Sequence, residues 1–343
     1  MDNSKFASNP TSKLEHIETT SISAFSGSYR SFLDQKSPKE ADASRRFYEM
    51  ISSTTGSLKL EQFEQCRTRA WFIRNRDSGR VRLASKQCRL RWCYHCSEAR
   101  QQFITGAVMP WYQSARLPKL LTLTLKHNKK PLEDQIAFLY KCFAKLRGRK
   151  FFKDSCRGGV WFFQITFNKK KQEWHPHIHA LIDSYFINND DLSHVWKKIT
   201  QDSKIIHIRC VDDPEKTLRH NARYAARPVS LLSIPEERWL ELHNGFFGRR
   251  ICGTWGTAKV ISLRPHKPED CEKWEDVGGW RTVQNLIEYD LNAKAIWRAW
   301  STGEILPAGI SVETIDEFIK DEPEYIRPPK KLWETDPFLH WNK

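Results

Sequence analysis

Apolar and polar residues alternate with period two along Leu120–Leu125, with Leu121, Leu123 and Leu125 on one side and Thr122 and Thr124 on the other. Successive side chains of a strand point to opposite faces, so this stretch predicts a half-buried strand with a polar working face. The period then changes. Leu132, Ile136, Leu139, Phe143 and Leu146 recur at spacings of three and four, which predicts an amphipathic helix over Pro131–Arg147. Gly158–Gly159 introduces a second strand, Val160–Phe167, with Gln164 as its one strongly polar side chain in mid-strand. The polar loop Asn168–Glu173, which carries three consecutive lysines, joins it as a hairpin to a third strand. That strand is expected to begin at Pro176, because proline has no amide N–H to give to a ladder. Asn189–Thr200 reads as a helix with acids in its first turn, and Ile205–Val211 as a further strand. A helix from Pro214 to about Ala226 follows, capped by Asp212 or Asp213 and ended by Pro228. Ser97–Gln113 and Val283–Trp300 are the outlying predicted helices.

Composition changes this picture in three ways. The 343 residues, 39% hydrophobic, can bury a sizeable core in two or three units. Lys and Arg number 56 against 41 acids, a formal charge of +15, which points to a polyanionic partner. The chain has no run of about 18 apolar residues, as a bilayer span would need, and Met1–Lys5 shows no apolar leader. Nucleic acid is therefore expected as the partner, rather than a membrane, and the cell interior, the cytoplasm, as the place. Trp 14, Phe 19 and Tyr 9 provide candidate stacking platforms for unpaired bases. Nine cysteines, an odd number, argue against a full disulfide framework and for metal ligation.

Three constellations carry chemistry. Cys88, Cys93 and Cys96 have C-x4-C-x2-C spacing, which suits one tetrahedral structural Zn²⁺. Cys66 is the first candidate for the fourth ligand, returned by a hairpin through Trp71–Leu83 that turns at Asp77–Arg80; His95 is the alternative. Arg89 and Arg91, interleaved with these cysteines, are candidates to grip phosphate. In the string Trp174–Ile182, His177 and His179 project from one side of a strand, an arrangement that suits a divalent metal. His175 lies just before the expected strand, as a support for that pair or a DNA contact. Gln164 could give a carboxamide oxygen as third ligand; a glutamine hydrogen-bonded within the sheet reads equally well. On the helix ending near Ala226, Thr217, His220, Tyr224 and Arg227 share a stripe, with Lys216, Arg219 and Arg223 beside it.

Taken in order, Leu121–Thr124, His177–Ile178–His179 and Tyr224 within Arg223–Pro228 resemble the three motifs of the HUH endonucleases: relaxases, single-strand transposases and rolling-circle replication initiators. With a cysteine-rich segment in front, the chain is most similar to the initiator (Rep) proteins of rolling-circle plasmids. The transposases of IS91-type elements are a close second. The resemblance implies an α+β fold, an antiparallel sheet with helices on one face and a ferredoxin-like core, preceded by a small zinc-binding module. It also implies that Tyr224 attacks single-stranded DNA at a replication origin or element end, forming a 5′-phosphotyrosine and a free 3′-OH. Mg²⁺ or Mn²⁺ on His177, His179 and Gln164 would polarise the phosphate. Relatives often use a carboxylate where Gln164 stands, and some place a Glu where His220 stands, so His220 is a candidate general base. Lys216, Arg219, Arg223 and Arg227 would bind the strand, and a host helicase is a further candidate partner. The expected organisation is a disordered tail at 1–45, a zinc-binding module and linking helix at 46–113, the nuclease at 114–230 and an extension at 231–343. Within that extension, Gly245–Gly256 is expected as a loop that packs on the catalytic unit or contacts DNA. A zinc-containing DNA-binding protein without catalysis is the reading from another class.

Overall fold

The structure, a computed structural model, describes residues 38–56, 59–66, 70–77, 79, 81–85, 87–226, 229–263, 274–302, 310 and 312–320. Helices α1 (Pro38–Thr55) and α2 (Lys59–Glu64) precede a hairpin of β1 (Ala70–Asn75) and β2 (Val81–Ser85). Then come α3 (Tyr94–Ser114), β3 (Pro118–Thr124), α4 (Leu132–Gly148), α5 (Lys150–Ser155), β4 (Cys156–Asn168) and β5 (Glu173–Ser184). They are followed by α6 (Asn189–Thr200), β6 (Ile206–Cys210), α7 (Pro214–Ala226) and α8 (Val229–Ser233). After a 3-10 turn at Glu236–Arg238 the chain runs through α9 (Trp239–Phe246), β7 (Cys252–Gly256), β8 (Trp274–Gly278), α10 (Trp280–Leu286), α11 (Leu291–Thr302) and α12 (Val312–Lys320). Among the described residues no helix is long and apolar enough to cross a membrane.

The fold is α+β with two antiparallel sheets. The larger has the strand order β6-β3-β5-β4-β7, and the smaller β2-β1-β8. In the larger sheet Leu121, Leu123, Phe163, Ile178, Ala180 and Ile182 form one buried face with α4 and α6. All five apolar residues of the predicted α4 stripe are at most 2% exposed. Truncating any of its leucines to alanine would cost about 2–5 kcal/mol.

The other face is also covered, which corrects the expectation of helices on one side. Leu120, Val160, Phe162 and Leu181 pack against Ile104, Val108 and Tyr112 of α3 and Leu218 and Ala222 of α7. The strands are apolar on both sides over their half nearer the start of β3, and that surface needs a lid. Only the other half of this face, where Thr122, Gln164, His177 and His179 stand, is polar.

The third strand begins at Glu173, not Pro176, and Pro176 pairs with Ile165 inside it. Geometry explains the tolerance. The Phe163 N–H donates to Ile251 O, away from β5, and Ile165 has the same parity. Opposite it, Pro176 turns its nitrogen to the β3 side, where β3 has already ended by pairing Thr124 with His177. No ladder donor is lost.

Four further expectations change. Residues 1–37 of the expected tail lie outside the described residues, and 38–45 are helical: Ala43, Phe47 and Ile51 of α1 recur every four residues and are buried. The run Gly245–Gly256 contains β7, an edge strand paired with β4. Glycine is required there: a Cβ on Gly253 would meet the Trp161 indole at 2.6 Å, and Gly256, at φ 57°, faces Arg157 O at 2.2 Å from such a Cβ. The single helix expected over Val283–Trp300 is broken in two. Asp290 caps the second, accepting from the Ala293 N–H at 2.7 Å. Finally, the segment expected as an extension supplies β7 and β8, one to each sheet.

Candidate active site and metal centres

The polar half of the larger sheet collects the residues that the motifs single out. Cross-strand partners share a face. Thr122 pairs with His179 and Thr124 with His177. On the other side of β5, Gln164 pairs with His177. His177 and His179 stand with ring centroids 5.0 Å apart. His175 lies within the strand on the same face, its ring stacked at 4.5 Å on His127.

Each ring of the pair is oriented through Nδ1. His177 Nδ1 lies 3.0 Å from the His175 carbonyl oxygen. A carbonyl only accepts, so that nitrogen carries the proton and Nε2 is left as a bare lone pair. His179 Nδ1 lies 3.0 Å from Thr122 Oγ1, which can accept in the same way. Partners of this kind fix the tautomer in metal-binding histidines. Burial holds the His177 imidazolium below its ordinary range. His179 is pushed down to about 3 by burial and then by His177 and His220, and His175 to about 4 by burial, His177 and His127. All three rings are therefore neutral at pH 7, the form that ligates a metal.

The third candidate is engaged. Gln164 donates from Nε2 to Asn221 Oδ1 at 3.4 Å, and Asn221 donates in turn to Thr217 O at 2.8 Å. The glutamine is thus hydrogen-bonded to α7, with Oε1 as its remaining acceptor. Among the described residues, no carboxylate, Cys or further His completes a set of three such donors with the two histidines within 4.8 Å.

Helix α7 is held against the sheet by Leu218 and Ala222, which places Asn221 inward and His220 and Tyr224 outward. The His220 and Tyr224 rings lie 4.7 Å apart, and His220 is near enough to His179 to depress it. Tyr224 is 49% exposed. Arg223 is exposed beside it, and Lys216 is exposed about two turns earlier on the helix. Arg219 is also exposed, within an ion pair to Glu215 at 2.7 Å. Such a surface pair is worth only about 0.3–0.5 kcal/mol and yields readily to a phosphate. Arg227 lies outside the described residues.

The second centre lies around the knuckle between β2 and α3. Cys66 Sγ is 3.6 Å from Cys96 Sγ and 3.7 Å from Cys93 Sγ, and Cys88 Sγ is 3.6 Å from Cys96 Sγ. All four sulfurs lie within 4.8 Å of one another. A Zn–S bond of about 2.3 Å gives a tetrahedron with edges of ~3.8 Å, so the donor set fits zinc. His95 stays outside it and packs edge-on to Tyr94. Arg89, at φ 58°, bends the knuckle so that its N–H donates to Cys96 Sγ at 3.2 Å. Hydrogen bonds from Cys66, Cys88 and Cys93 hold the Cys96 thiol well below its ordinary range.

Arg91 turns inward, contrary to its expected place on a phosphate. Its guanidinium donates to Arg249 O at 2.7 Å and lies over the Phe246 ring. The neighbouring Trp92 and Cys93 are core residues, and this draws the arginine in with them.

Three contributors escape the sequence pattern. Thr122 is legible there only as part of a polar face, and its bond to His179 needs the strand register. Asn221 has no motif; its signal is its place four residues after Thr217 and three before Tyr224, on the inner side of α7. His127 lies three residues beyond the last paired residue of β3, and nothing local marks it as a neighbour of His175.

The chain matches the family described as "Rep_1: Replication protein" over residues 80–304. It is 24% identical to a "Protein rep" of Staphylococcus aureus over 217 residues, covering 58% of this chain and 95% of the relative. It is 26% identical to a "Protein rep" of Streptococcus pneumoniae over 231 residues, covering 60% of this chain and 71% of the relative. No solved structure matches it.

Proposed function

The chain belongs to the Rep_1 family of replication proteins, and from that premise we propose that it initiates rolling-circle replication of a plasmid. The proposed fold type is the HUH nuclease, with residues 114–230 carrying the chemistry. The observation that supports this reading best is the close His177–His179 pair with His220 near enough to act on His179 and 4.7 Å from the Tyr224 ring. Membership of the family favours an initiator over an IS91-type transposase.

In this reading, Tyr224 Oη attacks a phosphorus atom of single-stranded DNA at the origin. The P–O3′ bond breaks, the 3′ oxygen leaves and takes a proton, and the 5′ phosphate stays on the tyrosine. One phosphodiester replaces another, so the free 3′-OH can reverse the step and rejoin the strand. His220, beside the phenol, is the proposed base for the proton of the phenol or, later, of a water that releases the strand. Lys216, Arg219 and Arg223 hold phosphates along α7, and the exposed tyrosine is open to a strand entering from solvent. The Nε2 atoms of His177 and His179, with Gln164 Oε1 as a third donor, would hold Mg²⁺ or Mn²⁺. That ion would polarise the scissile phosphate and stabilise charge developing on it. Cys66, Cys88, Cys93 and Cys96 are the proposed ligands of a structural Zn²⁺.

The test is covalent trapping with labelled single strands of the origin and Mn²⁺. A denaturant-resistant adduct is expected, lost in Tyr224→Phe and on chelation. Tight binding with no adduct on any strand would overturn the nuclease reading in favour of a DNA-binding protein without catalysis.

A further inference from the structure

A cleft of about 290 Å³ opens at the end of the larger sheet, between the loop after β3, the β4–β5 turn and the segment leading into α9. Lys129, Lys130, Lys171, Arg238, Glu241 and Trp174 line it. Arg238 and Glu241 pair with each other at 3.2 Å. Among the described residues, none of the three lysines has a carboxylate partner within 4 Å. The cleft therefore carries about three uncompensated positive charges.

Both rims are braced from within. Gln135, only 3% exposed, donates to Lys130 O at 2.6 Å, and Lys130 N–H donates to Asn128 Oδ1 at 3.0 Å. In the turn, Asn168 Oδ1 accepts from the N–H groups of Lys170 and Lys171, both at 3.1 Å. Gln172 closes the turn at φ 55° and donates from Nε2 to Lys169 O at 2.9 Å. The floor is aromatic: Trp174 is 3% exposed, and its indole Nε1 is buried without a hydrogen-bond partner among the described residues. Trp174 faces the opposite side of β5 from His177, and the cleft meets the polar face through Asn128, the neighbour of His127, whose ring stacks on His175.

The geometry points to this cleft as a phosphate subsite for the single strand that enters the Tyr224 site, one that seats a backbone phosphate away from the bond to be cut. This rests on the nuclease reading for its ligand. Lys130 and Lys171 close on the phosphate from opposite rims, over the Trp174 floor.

The test uses the full chain carrying Tyr224→Phe, so that binding is read without cleavage. A fluorescent single-stranded oligonucleotide is titrated over a series of NaCl concentrations, with and without Lys130→Ala and Lys171→Ala together. Affinity is expected to fall at least tenfold at low salt. The slope of log K against log salt is expected to flatten by about 1.4, at ~0.7 for each phosphate charge that goes unneutralised. A matched control removes Lys145 and Lys153, at the far end of α4 and on α5, and is expected to keep its slope. Equal slopes with and without Lys130 and Lys171 overturn the proposal, as does an equal loss in the control, which would assign the effect to net charge. Displacement of inorganic phosphate from the cleft, with no lysine dependence in oligonucleotide binding, would assign it to a free anion and also overturns it. The salt slope does not depend on strand cleavage. Failed covalent trapping therefore leaves this result standing, and an intact adduct with equal slopes rejects the cleft alone.

Discussion

The bond between His179 Nδ1 and Thr122 Oγ1 is the smallest feature from which a measurable consequence follows. Thr122→Val keeps the shape and the β-branch and removes the hydroxyl. The ring then loses the partner that holds its orientation. Affinity for Mn²⁺, read by titration calorimetry, is expected to fall about 10–100-fold with the thermal melt little changed, the usual cost of losing such a support. An unchanged affinity would detach Thr122 from the metal site. How far these residues are legible follows from range. Strand alternation alone puts Thr122 and Thr124 on a polar face, and His177 and His179 side by side. The pairing of Thr122 with His179 depends on a register between strands 57 residues apart, which no local pattern encodes. Gln164 shows the same limit: its central polar position is plain, but Asn221, the group it meets, lies 57 residues further on. Arg91 misleads because a charged residue beside cysteines looks exposed until Phe246 and Arg249, more than 150 residues later, are seen to receive it.

At the scale of elements, the four cysteines bring together the end of α2, the knuckle after β2 and the start of α3. Helix α2 is six residues long and buries none of them, and Cys66 lies just beyond it. Cys66→Ser is expected to lower bound zinc, measured by release into a chromophoric chelator, and to shift the melt down by several degrees. Full zinc content in that variant would return His95 to candidacy as the fourth ligand. Amphipathic elements with a strong period, α4 above all, are legible almost residue by residue. Helix α1 is legible in principle, since Ala43, Phe47 and Ile51 keep the helical period, but the polar residues around them mask it. Strand β7 is not. Glycine disfavours strands, and here it is tolerated because Trp161 occupies the space that its side chains would fill.

For the whole molecule, the expected division into a nuclease and an appended extension meets a sheet topology that crosses it. Strand β7 pairs with β4 and β8 with β1, so the last third of the chain edges both sheets. Ending the chain after Arg250 removes both strands. It bares the β4 edge and the Trp161 indole, and the product is expected to lose cooperative melting and to aggregate. A soluble truncated chain with a cooperative melt would restore the idea of a dispensable extension. The net charge of +15 suits binding of DNA at many points along this surface, and salt sensitivity is its expected signature.

The pairing of β1 with β8 also sets a timetable. Arg76 and Glu275, which meet across it, are 199 residues apart. A ribosome adding about 5–20 residues per second needs roughly 10–40 s to cover that distance. Throughout that interval the β1–β2 hairpin has emerged, and the strand that will complete it does not yet exist. Cys66, Cys88, Cys93 and Cys96, by contrast, are all translated before residue 100. The part of the nascent chain that waits longest for its last strand is thus the part that carries its own cross-linking thiols. The proposed Zn²⁺ would then be most useful during synthesis, when it can hold the hairpin that still lacks its partner strand.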